Sequence, residues 1–175
     1  MEFNRKWAMP NSKTFEIKAI SELISKHVEP NMIIVDPFAN ECSIAKKLES
    51  VEYISNDLDE RYQTTFNLDA LDFLKNIKTN SVDLVLYDPP YSPRQVSEVY
   101  KSLGMSVNMQ TTQSSYWSKQ KDEISRIVKK GGKVITFGWN SGGIGKTKGF
   151  EIIEILLVAH GGWHNDTICT VDLKK

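Results

Sequence analysis

The sequence predicts an α/β domain in three layers, with a mostly parallel, doubly wound sheet between two sets of helices. Two observations carry this prediction. The run Val82–Tyr87 is largely apolar and rich in β-branched residues, which is typical of a strand buried on both faces of a parallel sheet. Residues 32–48 predict a strand, a short loop and a helix. That unit opens a doubly wound sheet and places ligands at the carboxyl ends of the strands.

Length and composition are those of one globular domain spanning residues 1–175. Hydrophobic residues make up 40% of the chain and charged residues 25%, and no apolar run approaches the ~20 residues of a membrane span. Because no signal-peptide core follows Met1, we expect a cytoplasmic protein. Cys42 and Cys169 are too few and too scattered for a disulfide framework or a zinc site, so no metal is expected.

The central strand runs directly into Asp88-Pro89-Pro90-Tyr91. Proline cannot donate to a sheet ladder, so the strand must end here, and Pro89 holds Asp88 extended with its carboxylate beyond the sheet edge. An ionised carboxylate and a backbone carbonyl are acceptors only. Beside an aromatic ring, two acceptors suit a planar guest that carries an exocyclic NH2 group. A strand followed by a plain proline turn is the alternative.

Asp88-Pro89-Pro90-Tyr91 after such a strand resembles the catalytic motif of amino-methyltransferases, which methylate the exocyclic amine of adenine or cytosine with S-adenosylmethionine. The resemblance implies a Rossmann-like methyltransferase fold with a seven-stranded sheet whose final strand is antiparallel. It also implies that Asp88 and the Pro89 carbonyl accept hydrogen bonds from the target amine and that Tyr91 stacks on the target base.

Taken in order, the chain begins with a segment that leads into a helix. Lys6-Trp7-Ala8 resembles the N-terminal motif that lies against the methionine end of the cofactor, which places Trp7, Met9 and Pro10 at the cofactor. The family continues there with two glycines and a lysine, and a surface lead-in is the alternative for Trp7. Pro30 ends the helix. Its apolar residues recur at helical spacing and are Phe15, Ile20, Leu23, Ile24 and Val28.

The first strand, Met32–Phe38, ends on Asp36-Pro37-Phe38, which resembles the first cofactor motif of the methyltransferases. The resemblance implies cofactor contacts from these three residues and from Asn40. Asn40 stands where the family usually has glycine, and asparagine tolerates left-handed backbone angles, so the loop can still turn. We expect a helix from about Ile44 to Leu48.

The second strand, Tyr53–Leu58, carries an acid about 20 residues after the first one, the spacing at which a carboxylate accepts from ribose hydroxyls. We therefore expect Asp57 and Leu58 at the cofactor, with a solvated turn aspartate as the alternative. Residues 62–74 predict a short third strand and the start of a helix. Asp69-Ala70 resembles the third family motif, at the cofactor's adenine. Asp69 also fits a helix N-cap, and the two roles can coexist.

The segment after Tyr91 predicts a long loop that closes over the target, with a polar stretch at Thr111–Ser118. Within this segment Arg94 is a candidate phosphate contact, with a neutral exposed residue as the alternative. A helix from about Tyr116 to Lys129, ended by Gly131-Gly132, then leads to the fifth strand, Lys133–Trp139.

Gly145-Lys146-Thr147 resembles the end of a phosphate-binding loop. Asn140 stands where that loop requires a glycine, and the following residues, Phe150–Ala159, predict a strand instead of the required helix. An ATPase is therefore not expected. We interpret the segment as a basic loop and expect Lys146 and Lys148 near Trp163, at the tip of the hairpin that follows, where they contact the target.

A hairpin ends the chain: Phe150–Ala159, a turn through Gly161-Gly162, and a last strand over Asp166–Leu173. Its tip presents Trp163 and His164, side chains that can stack on or hydrogen-bond a base. The alternative is that Trp163 folds back over the core and the histidines are solvated.

Together these motifs predict methyl transfer from S-adenosylmethionine to an exocyclic amine, with N6 of adenine in DNA favoured by the order of the motifs. Cytosine N4, an RNA base, and a catalytically silent subunit that binds DNA or a partner are the alternatives. Formal net charge is zero, which argues against strong non-specific nucleic-acid binding. Because 175 residues leave no separate target-recognition domain, recognition must come from loops, a second copy in a homodimer, or a separate subunit. No membrane partner is expected.

Overall fold

The computed structural model describes residues 1–106 and 114–175. Among these residues one sheet contains seven strands, in the order β1-β6-β7-β5-β4-β2-β3. The strands are β1 Glu2–Trp7, β2 Ile33–Asp36, β3 Glu52–Ser55, β4 Val82–Tyr87, β5 Val128–Gly138, β6 Phe150–Ala159 and β7 Thr167–Lys174. β7 runs antiparallel to β5 and β6, and the other neighbouring pairs are parallel. The predicted mostly parallel sheet with an antiparallel final strand is confirmed.

Helices cover both faces of the sheet and produce the predicted three layers. They are α1 Lys18–Lys26, α2 Ala70–Asn76, α3 Pro93–Ser102 and α4 Ser114–Ile127. On one face, Ile20 and Ile24 of α1 pack in one cluster with Leu84 of β4. On the other, Phe73 of α2 and Ile124 of α4 share a cluster with Val85. In the described part of the chain, none of the helices is long and apolar enough to cross a membrane.

The seven strands are not the seven that the sequence pattern predicts. Residues 2–7, expected as a lead-in, form β1, which adds to the open edge of β6 in parallel register. The short third strand expected near Phe66 is only an isolated bridge between Asn56 and Phe66. β1 escapes prediction because it is exposed and mostly polar, so it lacks the alternation that marks a half-buried strand.

Two helices differ from prediction. The helix expected at Ile44–Leu48 is a single 3-10 turn, Ala45–Lys47. The long loop expected after Tyr91 contains α3, which begins after Ser92: the Ser92 side chain accepts a hydrogen bond from the Gln95 N–H, and proline occupies the first helical turn. α4 begins at Ser114, which confirms the helix predicted from about Tyr116 and corrects the expected polar loop Thr111–Ser118 at Ser114 and Ser115. Its first residues, Thr111–Gln113, lie outside the described residues.

Gly131 and Gly132 do not end a helix but lie inside β5, where the pairing with β4 shifts register. Gly131 has a φ of 80°. A Cβ atom on Gly132 would lie 2.8 Å from Val128 Cγ1 and 2.9 Å from the Lys129 carbonyl oxygen. The bulge therefore requires glycine at these two positions. β5 begins at Val128, earlier than predicted.

Candidate active site

A cavity of about 340 Å³ lies at the carboxyl ends of β2, β3 and β4. Because these strands are parallel, the segments that follow them meet along one edge of the sheet, as the sequence predicts. Residues from all four strand-ending motifs line the cavity. They are Pro37, Phe38, Asn40, Asp57, Leu58, Asp69, Ala70, Asp88, Pro89, Pro90 and Tyr91.

Asp88 follows β4 directly, and its carboxylate accepts a hydrogen bond from the Tyr91 hydroxyl. Burial raises the pKa of Asp88, while hydrogen bonds from the Tyr91 and Thr14 hydroxyls oppose that rise. Burial likewise raises the pKa of Tyr91, with the Asp88 charge adding to the rise. Tyr91 is therefore a neutral donor, and the Asp88 carboxylate is an acceptor at the floor of the cavity.

Side chains from the two following helices hold the backbone of this motif. Trp117 Nε1 on α4 donates to the Pro90 carbonyl at 2.9 Å. The Tyr91 N–H donates to Gln95 Oε1 on α3 at 2.6 Å. The motif is thus fixed before any ligand arrives, which is what catalysis by positioning requires.

Asn40 and Asp57 connect the loops after β2 and β3. Asn40 has a φ of 46°, so the expected left-handed turn without glycine is confirmed. Its N–H donates to Asp57 Oδ2 at 2.9 Å, and the Asp59 N–H donates to Asp57 Oδ1 at 2.9 Å. Burial raises the pKa of Asp57, although these backbone donors oppose the rise. These backbone hydrogen bonds hold the Asp57 side chain at the wall of the cavity.

Asp69 is a helix N-cap, as one of its two predicted roles requires. Its side chain accepts from the Leu71 N–H at 2.9 Å, and its second oxygen accepts from the Tyr100 hydroxyl. Asp69 also lines the cavity. Asp69 therefore ties α2 to α3 beside the cavity.

Asp36 does not line the cavity, which corrects the prediction that it contacts the cofactor. The side chain is fully buried: Oδ2 accepts from the Tyr53 hydroxyl at 2.7 Å and Oδ1 from the Phe38 N–H at 3.1 Å. Burial raises the pKa of Asp36 to about 7, and these two hydrogen bonds oppose the rise. Asp36 supports the turn that carries Phe38, and Phe38 lines the cavity.

The N-terminal residues also depart from the predicted cofactor site. Trp7 ends β1 at the far edge of the sheet and is 66% exposed, and Met9 is 68% exposed. Neither residue lines the cavity at β2, β3 and β4, because pairing with β6 carries residues 2–7 away from those strands. Pro10 lines a different cavity. Trp7 is the surface residue that the alternative interpretation describes.

That second cavity, of about 570 Å³, adjoins the first at Tyr91 and Gln95, which line both. The hairpin tip lines its far side with Trp163, His164 and Asn165. Trp139, which follows β5, packs edge-on against Tyr91 with ring centroids 5.3 Å apart. The remaining lining residues include Pro10, Asn11, Ser12, Thr14 and Thr167. Tyr91 thus stands between two cavities.

Two basic residues expected at the target lie elsewhere. Lys146 belongs to the 3-10 turn Lys146–Lys148, which comes directly before β6, at the end of that strand opposite the hairpin tip. β6 has ten residues, so roughly 30 Å separates Lys146 from the tip. Its expected place beside Trp163 is wrong. Arg94 is exposed on α3, where Nε donates to Glu98 Oε1 at 2.8 Å, and it lines neither cavity.

The two ends of the hairpin tip differ in environment. His160 is buried: Nδ1 lies 2.9 Å from the Ala8 carbonyl oxygen and Nε2 2.8 Å from Thr167 Oγ1. Trp163 is fully exposed, with a relative accessibility of 103%. The interpretation in which Trp163 covers the core and the histidines are solvated is therefore wrong for Trp163 and for His160.

Sequence reasoning missed the cavity residues that come from the helices. Val99 and Tyr100 of α3, in a segment expected as loop, line the first cavity, as does Tyr116 near the start of α4. A signal was present. Ser92-Pro93 is an N-cap followed by a proline at the first helical position, and Val96, Val99 and Tyr100 recur at helical spacing.

No family model matches the chain, and no curated protein matches it by sequence. Solved structures do share its architecture. TrmN from Thermus thermophilus superposes with a TM-score of 0.59 at 18% identity, over 91% of this chain and 49% of that protein. The chain thus spans about half the length of that relative.

Two methyltransferases match over more of their own length. One is 1,6-didemethyltoxoflavin-N1-methyltransferase from Burkholderia thailandensis, crystallised with 1,6-didemethyltoxoflavin and S-adenosylhomocysteine: TM-score 0.62, 9% identity, 90% of this chain and 77% of that one. The other is precorrin-6y C5,15-methyltransferase from Geobacter metallireducens: TM-score 0.60, 12% identity, 97% and 95%. The chain has the Rossmann-like methyltransferase fold that its motifs imply.

Proposed function

We propose that this protein transfers a methyl group from S-adenosylmethionine to the exocyclic amine of a nucleobase, with N6 of adenine in DNA as the preferred target. One observation carries the proposal. Tyr91 lines both cavities, and its hydroxyl is hydrogen-bonded to Asp88 in the first cavity, which is lined by the strand-ending residues that resemble a cofactor site. A donor in one cavity and an acceptor in the other would meet at this pair.

The residues present fit the cofactor. Asp57 offers carboxylate oxygens to ribose hydroxyls, and Asp69 with Ala70 lies where an adenine ring would be held. A third cavity, of about 300 Å³, shares Phe38, Asn40 and Asp88 with the first and continues toward Thr14. The combined space suits an elongated ligand. The Burkholderia methyltransferase with bound S-adenosylhomocysteine supports this assignment through its fold.

When bound, S-adenosylmethionine supplies a methyl group on a cationic sulfur. The protein has to orient a poor nucleophile, because the lone pair of an aromatic amine is delocalised into its ring. The Asp88 carboxylate and the Pro89 carbonyl accept from the two N–H groups, which favours a pyramidal nitrogen and aims its lone pair at the methyl group. After transfer the amine loses its additional proton to solvent, so no dedicated base is required.

Tyr91 supplies the remaining element of target binding. Its ring faces Trp139 on one side, and stacking on an aromatic ring contributes about 1–3 kcal/mol per base. This stabilisation is comparable with the few kcal/mol needed to extrude a base from a duplex. The site therefore suits a base that is unpaired or flipped out.

The direct test is transfer of tritiated methyl from S-adenosylmethionine to DNA, RNA and nucleotide panels, with Asp88→Ala as the inactive control. We expect label in adenine-containing DNA, recovered as N6-methyladenine after digestion. Label at cytosine N4 or in RNA alone would replace the proposed target while keeping the chemistry. No transfer to any acceptor, with the cofactor bound, would indicate a catalytically silent subunit.

A further inference from the structure

Trp163 is a fully exposed tryptophan at the tip of the β6–β7 hairpin. It lies beside the 570 Å³ cavity that Tyr91 also lines. We propose that the tip binds single-stranded nucleic acid by stacking Trp163 on a base next to the target base. This inference rests on the proposed function, because it names how the acceptor is held. The inference does not depend on Lys146, which lies at the opposite end of β6 from the tip.

The Trp163 side chain does not stabilise the fold. Burying a large apolar side chain typically contributes about 1.5–3 kcal/mol, and a relative accessibility of 103% means that none of this is realised. Gly161 and Gly162, with φ of 70° and 60°, already make the turn. An exposed indole at this position therefore has no structural role.

The base of the tip is held in place by hydrogen bonds. The His160 ring is buried between the Ala8 carbonyl and the Thr167 hydroxyl, and the backbone N–H of His160 donates to Asp166 Oδ1 at 3.2 Å. The His164 N–H donates to the Gly161 carbonyl. Trp163 is thus presented from an anchored turn. A stacking residue held in place loses less conformational freedom on binding.

The cavity beside the tip is lined by aromatic and polar residues. Tyr91, Trp139 and Trp163 are among the residues that line a space of about 570 Å³, which lies within the range of ligand pockets. Residues with hydrogen-bonding side chains line the same space: Asn11, Ser12, His164 and Asn165. Aromatic faces and neutral amide or hydroxyl groups suit the faces and edges of unpaired bases.

The location of the hairpin tip relative to Tyr91 also supports the proposal. Tyr91 lines this cavity and the proposed cofactor cavity, so a base against Tyr91 has a neighbouring nucleotide that extends toward the tip. All seven strands of the described residues belong to one sheet, and the loops that join them are surfaces that recognition can use. The hairpin tip is such a loop and stands at the edge where the target would enter.

The test is binding of a fluorescein-labelled 12-nucleotide single strand, as DNA and as RNA, followed by fluorescence anisotropy in the presence of S-adenosylhomocysteine. We expect Trp163→Ala to weaken binding roughly 5- to 150-fold, the range that corresponds to stacking of one base. Trp163→Phe should restore most of the affinity. Phe3→Ala, which removes another exposed aromatic residue (61%) from β1, should bind as the wild type does.

Equal affinity of wild type and Trp163→Ala, or equal weakening by Phe3→Ala, would overturn the proposal, as would an absence of strand binding by the wild-type protein. Failure of the proposed function is recognised separately. It would appear as no binding of S-adenosylmethionine in calorimetry, which does not involve the tip. Quenching of tryptophan emission by the unlabelled strand, lost in Trp163→Phe, gives a second readout that requires no turnover.

Discussion

The Tyr91 hydroxyl donates a hydrogen bond to the carboxylate of Asp88, three residues earlier in the chain. The two residues proposed to hold the target are therefore paired with each other before the target enters. An incoming amine has to share or displace the phenol, and the same phenol opposes the rise in the pKa of Asp88 that burial causes.

Tyr91→Phe should move the acidic limb of the kcat–pH profile to higher pH. The Tyr91 hydrogen bond lowers the pKa of Asp88, so its removal raises that pKa, and the ionised acceptor is protonated at a higher pH than in the wild type. The aromatic ring stays, so stacking is retained. Tritium transfer measured across pH checks this. Thr14→Val, which removes the other hydroxyl, should shift the limb in the same direction, and a shift to lower pH would contradict the assignment.

Asp88→Ala should abolish methyl transfer and leave the affinity for S-adenosylmethionine within a few-fold, because the partner of Asp88 is the target amine. Asp88→Asn keeps one acceptor oxygen and should retain part of the activity. Single-turnover transfer and calorimetry on both variants give the comparison. Asp72→Ala, at an exposed position on α2, serves as the matched control. If Asp88→Ala keeps most of the turnover, the acceptor role is wrong.

Calorimetry should show micromolar binding of S-adenosylmethionine, roughly −8 kcal/mol. We expect Asp57→Asn to weaken it by roughly 10- to 100-fold, because hydrogen bonds from hydroxyls to a carboxylate are lost while the amide oxygen can still support the loop. The matched control is Asp72→Asn, with unchanged affinity. Tight ATP binding in place of S-adenosylmethionine would remove the basis of the proposed function.

Asp36→Asn should flatten the dependence of stability on pH. The carboxyl ionises near pH 4 in the unfolded chain but near pH 7 in the fold. Between these values the folded state binds more protons than the unfolded state, so the free energy of unfolding falls as pH rises, by up to about 4 kcal/mol. Urea denaturation of both proteins from pH 4.5 to 7.5 tests this. Curves of equal slope would mean that Asp36 ionises normally.

Thermal unfolding should separate the two ends of the hairpin tip. His160→Ala leaves a buried carbonyl and a buried hydroxyl without their partner and should destabilise the fold by about 1–3 kcal/mol. Trp163→Ala should stay within about 0.5 kcal/mol of the wild type, because the side chain makes no buried contact. Calorimetric melting of both variants decides. A large loss of stability in Trp163→Ala would show that the indole packs against the core.

The grouping of Asp57, Asp69 and Asp88 in one cavity was predictable because Asp88 directly follows a buried strand and the other two lie in the segment after β3. A buried strand announces itself by composition, and parallel strands bring their carboxyl ends to one edge, so Asp57, Asp69 and Asp88 could be grouped without a structure. Asp36 shows the limit of this argument. It ends a strand, but a carboxylate inside the sheet layer meets Tyr53 instead of the ligand.

The residues that were placed wrongly, at the cofactor and at the target alike, are those whose position depends on long-range pairing. Trp7 matched a local motif, yet the register of β1 against β6 decides where Trp7 lies. Lys146 was placed by its nearness in sequence to the hairpin, but the whole length of β6 separates the two. The face that Trp163 presents depends on how His160 is anchored, and neither Ala8 nor Thr167 announces that contact locally.

The position of β1 also sets the order in which the sheet can be completed during synthesis. Its partner is β6, with Glu2 paired to Glu154 and Trp7 to Ala159, so the first strand to be made waits for nearly the last. Contacts between residues so far apart in sequence are slow to form and leave strand edges open meanwhile. On the ribosome β6 therefore emerges with a bare edge until Glu2–Trp7 returns to it. The β1–β6 pair then joins the rest of the sheet only when β7 has formed between β6 and β5.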